Sequence, residues 1–159
     1  MADDNTLTFK THDLRVELYS ASDLHLVYAG SSHLLSPGEL ARDKTLQDDT
    51  KYSGGTSGSY VAFAGPAQLK WRSRDGVQHS CTLNLDEVFG DRRVLHTEDP
   101  MRIYKPMPIT GGEPTIVIEV IDRTVNVYMF AALQLIPTDP TAVRRDEREH
   151  RTLAYSKSF

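Results

Sequence analysis

The chain has 159 residues, 39% apolar and 25% charged, enough to bury a core without disulfide or metal staples and too apolar for global disorder. Its net charge of −4, from 22 acidic and 18 basic residues, argues against a basic nucleic-acid footprint. The longest apolar run, Val127 to Ile136, is interrupted by Gln134 and falls well short of the roughly 18 residues that span a bilayer.

In chain order the reading is mostly β. Leu7 to Lys10 and Leu14 to Tyr19 are short candidate strands around Thr11-His12-Asp13, and Leu24 to Ala29 follows with Leu24, Leu26 and Tyr28 on one face and His25 outward. Ser36 to Arg42 reads as the start of a short helix: Ser36 can cap it, Pro37 suits the first turn and Glu39 completes a capping box. Asp43 to Gly58 is polar and glycine-rich, hence a loop, and Tyr60 to Phe63 resumes a strand before Gly65-Pro66 breaks it.

The register of the next hairpin follows from side-chain period. Leu69, Trp71 and Ser73 share one face, and His79, Cys81, Leu83 and Leu85 share one face of the returning segment. A two-residue loop at Asp75-Gly76 would pair Trp71 with Ser80 and mix apolar with polar positions. A three-residue loop, Arg74-Asp75-Gly76, pairs Trp71 with His79 and Leu69 with Cys81, with Gly76 in the left-handed position. Because a one-residue slip would expose the whole apolar set, the second register is expected.

Asp86 to Phe89 reads as one turn of helix ended by Gly90. Val94 to His96 and Met101 to Tyr104 are weaker strand candidates, and the prolines and glycines from Pro100 to Pro114 enforce loop or edge conformation. Thr115 to Ile136 is the strongest β signal. A two-residue loop at Asp122-Arg123 pairs Val120 with Val125, Ile118 with Val127 and Ile116 with Met129; the opposite face is still half apolar, which predicts a central hairpin covered in part on both sides. Arg144 to Arg151 alternates in sign and reads as a solvated helix or mobile loop, and residues 152–156 as a terminal strand. Together these predict one domain over 1–159: mainly β, an antiparallel two-sheet sandwich built on hairpins, with one or two short helices.

Chemical motifs are sparse. The six histidines form neither an HExxH pair nor a CxxC-anchored cluster, so no metal is expected; no cofactor motif is legible either. His79, facing Trp71, is read as a packed histidine. Gly54 to Ser59 lacks the lysine and following helix of a phosphate loop, and its second glycine falls one position early for a nucleophile elbow, so it is read as a turn. Asp43, Asp48 and Asp49 lack calcium-loop spacing and are read as solvated charges. No catalytic residue is assigned. Arg72, Arg74, Asp75, Asp91, Arg92 and Arg93 are exposed charges near hairpin tips and are the candidate partner-binding residues. The single cysteine, Cys81, cannot form an internal disulfide and is expected inward. No secretory leader is legible, which leaves a cytoplasmic protein or a mature form whose leader has been removed.

Four segments form an ordered pattern: Gly54-Gly55-Thr56-Ser57-Gly58-Ser59-Tyr60-Val61, Leu69-Lys70-Trp71, Asp75-Gly76-Val77-Gln78-His79-Ser80-Cys81-Thr82-Leu83, and Ile116-Val117-Ile118 with Val125-Asn126-Val127. This pattern, over roughly residues 53 to 130, resembles small bacterial immunity proteins, often lipoproteins, encoded beside type VI secretion lipase effectors. The resemblance implies a non-enzymatic periplasmic protein that blocks a cognate toxin by stoichiometric occlusion, touching a membrane only if lipid-anchored. Two features depart from it: Cys81 lies within a strand and cannot carry an N-terminal lipid, and the glycine loop has no cysteine. The residues alone leave other classes open: a small hydrolase or ligand-binding β-domain using His79 or the Gly54 to Ser59 loop, or a secretion-apparatus accessory or chaperone.

Overall fold

The computed structural model describes residues 7–50 and 55–159. Nine strands form two sheets, with a single turn of α-helix and two 3-10 turns among the described residues. The five-stranded sheet runs β4 (Ser57–Val61), β1 (Thr11–Tyr19), β7 (Thr115–Ile121), β8 (Thr124–Leu135), β9 (Asp146–Ser158). The four-stranded sheet runs β3 (Ser31–Leu35), β2 (Ala21–Tyr28), β5 (Ala67–Ser73), β6 (Gln78–Leu83), and α1 (Leu85–Val88) follows it. All pairings are antiparallel except β1 with β7, which run parallel from Asp13 beside Thr115 to Tyr19 beside Ile121. The inner faces close on one hydrophobic cluster, with Leu14, Leu24, Leu26, Trp71, Ile118 and Met129 among its buried members.

Both hairpins take the expected registers. Trp71 lies opposite His79 and Leu69 opposite Cys81, with Gly76 at φ +82° closing the three-residue turn. Val120, Ile118 and Ile116 lie opposite Val125, Val127 and Met129. The 7–8 hairpin is central, and both of its faces are almost wholly buried.

Several local expectations are corrected. Of the two short strands expected near residue 12, only the second forms, extended back to Thr11: His12 and Leu14 are both fully buried, so Thr11-His12-Asp13 continues the alternation, while Leu7 to Lys10 makes only a single bridge, Thr8 to Arg93. Residues 36–42 are not helical. Ser36 has φ +48°, the Asp23 carboxylate takes the Gly38 N–H at 2.7 Å, and the chain returns along the β1–β2 junction through the Ala41 N–H to the Ala21 carbonyl. Those longer-range bonds replace the capping box. Residues 94–96 and 101–104 form no strand; Ile103 and Ile109 make single bridges to Leu135 and Leu133. The strand read at 60–63 is β4, Ser57–Val61, so it begins inside the expected 43–58 loop, of which residues 51–54 lie outside the described residues.

The charged segment 144–151 is the largest correction. From Asp146 on, together with 152–156, it belongs to β9, which pairs with β8 along its whole length except for a bulge between Val127 and Tyr128. β8 has β7 on one edge, and beyond the start of β7 residues 102–110 on that edge, so the backbone groups of its other edge require a strand along the full length of β8. The alternating charges meet partners on opposite faces: His150 lies 3.2 Å from Glu98, whereas Arg151 reaches Glu17 and Glu119, each at 3.3 Å.

Candidate functional site

The hairpin tip brings Arg72, Arg74 and Asp75 together on one end of the sandwich. Its geometry starts at Ser73, whose buried hydroxyl donates to Asp75 and lies 2.9 Å from His79 Nε2. Asp75 is held low, to about 2, first by that serine, then by the Val77 N–H and by Arg123, which pairs with it from the β7–β8 turn. The Arg74 N–H donates to Asp122 Oδ1 at 2.9 Å, and its guanidinium pairs with Asp43, whose other neighbour is the Ser20 hydroxyl at 2.5 Å. Arg72 lies 3.9 Å from Asp23, a carboxylate held below its ordinary range by the Gly38 N–H, the Ser22 hydroxyl and this arginine. Strand β2, the loop carrying Asp43 and the β7–β8 turn therefore anchor the tip, and each arginine remains about half exposed.

Asp91, Arg92 and Arg93 do not join this cluster. They follow α1 at the opposite end, where the Arg92 carbonyl accepts from Phe9 just ahead of β1, whereas the tip touches Ser20 and Asp122 beyond the far ends of β1 and β7. Arg93 pairs locally with Asp91 at 3.4 Å. The six candidate residues thus form two surfaces.

His79 stacks on Trp71 with ring centroids 5.3 Å apart, as a packed residue does, and it also contacts Ser73. The order of a catalytic triad is not met, because Asp75 accepts from the serine instead of orienting the imidazole, and Ser73 is 2% exposed. Cys81 is half-buried against the core, and burial pushes its thiol up, which makes it unreactive.

Asp48 is not solvated. It is 4% exposed and grips Arg42 through both oxygens, at 2.7 and 2.9 Å. Beside it Lys44 sits 2.7 Å from both Asp49 and Glu119, so residues 42–49 strap across the outer face of the five-stranded sheet.

At one end of that outer face lies a carboxyl cluster that the sequence does not signal. Asp13 on β1, Glu113 before β7 and Glu147 on β9 line a pocket of about 100 Å³. Burial raises Asp13 to about 6, reinforced by its hydrogen bond to Glu113 and that group's charge. Burial also acts to raise Glu113, but hydroxyls from Ser59 and Thr11 and the Asp13 carboxyl hold it below its ordinary range. Neighbouring His12 is buried, which lowers its pKa and keeps it neutral; its Nδ1–H donates to the Asp13 carbonyl at 2.9 Å, and its Nε2 accepts from the Tyr28 hydroxyl at 3.0 Å. The glycine turn of the sequence packs on this cluster. A Cβ at Gly55 would stand 2.2 Å from Asp13 Cβ, and one at Gly58 2.6 Å from Asp13 Oδ1, so close approach is what requires glycine there.

Comparison of the chain with protein-family models, with curated proteins and with solved structures finds no match.

Proposed function

We propose that this protein is a non-enzymatic inhibitor that neutralises a cognate secreted antibacterial toxin, of the lipase class, by one-to-one occlusion in the periplasm, with the Arg72-Arg74-Asp75 tip as its contact surface. The observation that carries this reading is the anchoring of the tip. Ion pairs from Asp23 to Arg72, from Asp43 to Arg74 and from Arg123 to Asp75 fix exposed charges on a rigid hairpin, so little side-chain entropy remains to be lost on binding. Arginine is among the residues that dominate protein interfaces, and mixed charge gives orientation and partner choice. The sequence resemblance supplies the class of partner.

The test is titration of a type VI lipase effector with the purified protein. Inhibition is expected to saturate at one equivalent, and Arg72→Glu with Arg74→Glu to weaken it by about a hundredfold or more. Asp91→Ala with Arg93→Ala probes the opposite end and is expected to leave affinity unchanged. His79→Ala and Ser57→Ala should still protect. Substoichiometric inhibition, or full affinity in the charge-reversed tip, refutes the proposal.

The Asp13–Glu113 pair favours one second reading, a small hydrolase using two carboxyls of split acidity beside the Gly55 to Ser59 turn. The pocket is small against the roughly 300–1,000 Å³ of ordinary ligand sites, which places this reading second. It predicts turnover that Asp13→Asn abolishes.

A further inference from the structure

We propose that the Asp13–Glu113 pair is a proton-operated latch that holds the glycine turn at residues 55–59, and with it edge strand β4, against β1. The geometry fastens the turn at both carboxyls. Ser59 of β4 donates its hydroxyl to Glu113 Oε2, which also accepts from Thr11 Oγ1 at 2.5 Å. The Gly55 and Gly58 backbones rest on Asp13, so close that a Cβ on either would collide with its side chain. Asp13 meets Glu113 directly, so the closed arrangement holds one proton between two carboxyls that otherwise repel.

Among the described residues, the titratable and charged groups that face the pair are Glu147, His12 and Arg15. Glu147, from β9, adds a third carboxylate to the pocket, engaged with Thr110 Oγ1 at 2.7 Å and Gln134 Nε2 at 3.0 Å. His12, its pKa lowered by burial, turns its Nε2 towards Tyr28. Arg15, the next residue on the outer face of β1, is bound to Glu17 at 3.0 Å.

The sign of the effect follows. Asp13 is raised to about 6 when the turn is closed and returns towards its ordinary value of 3.8 when the turn opens into water. The closed state therefore binds the proton more tightly, and its advantage falls as pH rises from the open-state value to about 6, then levels off. Glu113 acts in the opposite sense at lower pH, because protonating it weakens the acceptor for Ser59 and Thr11.

The test is amide hydrogen exchange of the intact chain from about pH 4.5 to about pH 7.5, corrected for intrinsic rate, reading the Thr56 and Ala62 N–H groups that bond to Leu14 and Lys10. The opening constant is expected to rise about 25-fold over that range, most of it below pH 6.5, while the Ile118 and Val127 amides of the central hairpin stay flat. Asp13→Asn keeps a donor towards Glu113 without a titrating proton and is expected to stay closed across that range. A flat wild-type profile, or an unchanged rise in Asp13→Asn, overturns the latch. Carboxyl carbon NMR of the wild-type chain tests it independently of any variant: an Asp13 midpoint near 6 supports it, and one near 4 overturns it.

Discussion

Glu119→Ala is expected to cost about 3–5 kcal/mol of stability, read as a lower urea midpoint with unchanged slope. Glu119 is fully buried on the outer face of β7, where Lys44 reaches it at 2.7 Å, Arg151 at 3.3 Å and the Asn126 side-chain amide at 3.1 Å. Lys44 and Arg151 also flank the Tyr128 ring, at 5.6 and 4.2 Å from its centroid. Removing the carboxylate leaves two largely buried cations side by side, and the remaining acids, Glu17 and Asp49, already have their own geometry with them. Burial alone would lower the Lys44 pKa, but its bonds to Asp49 and Glu119 hold it above the ordinary lysine value. For a raised base the linked stability is complete at neutral pH and is lost only as alkali deprotonates the folded state, so the penalty should show in full at pH 7. Glu119→Gln keeps the shape and an acceptor for Asn126, so it is expected to lose less. A loss below about 1 kcal/mol for the alanine variant contradicts a strap held by this cluster.

That cluster also explains what the sequence could and could not disclose. Both hairpins were legible because period-2 alternation and turn chemistry agree: Leu69, Trp71 and Ser73 alternate against Gly76, and Ile116, Ile118 and Val120 against the Asp122-Arg123 turn. The segment Asp146 to Arg151 was not, because alternation of charge sign carries no helical or strand period. Its strand state comes from the long edge of β8. Ser36 to Glu39 has a sound local capping signal, but Asp23, distant in sequence, supplies the bond that decides the backbone. The same limit governs the site. Arg72, Arg74 and Asp75 could be placed on a tip from the register alone, whereas their anchors Asp43, Asp122 and Arg123 arrive only through packing of the two sheets. Asp13 and Glu113 meet because β1 runs parallel to β7, and a reading built on hairpins does not generate a parallel neighbour. The short range of each sequence signal accounts for these misses.

Trp71→Ala is expected to cost about 3–5 kcal/mol and to loosen the proposed recognition tip as well. The indole is 1% exposed, stacked on His79 at an interplanar angle of 25° and met edge-on by Phe159 at 5.4 Å. Its Nε1–H donates to the Asp122 carbonyl at 2.8 Å, which ties the four-stranded sheet to the β7–β8 turn of the other sheet. Asp122 in turn accepts the Arg74 N–H through its side chain, so one tryptophan fixes the residue on which the tip backbone hangs. Truncation opens a cavity between the sheets and frees that residue, whereas Trp71→Phe keeps most of the packing and loses mainly the hydrogen bond, for about 1–3 kcal/mol. The phenylalanine variant is the informative one for function. It should stay folded, exchange the Arg74 amide faster and bind the toxin more weakly, with the change falling mostly on the dissociation rate. If Trp71→Phe leaves Arg74 exchange and toxin dissociation unchanged while stability falls, the indole serves packing alone and the rigidity assigned to the tip does not originate there.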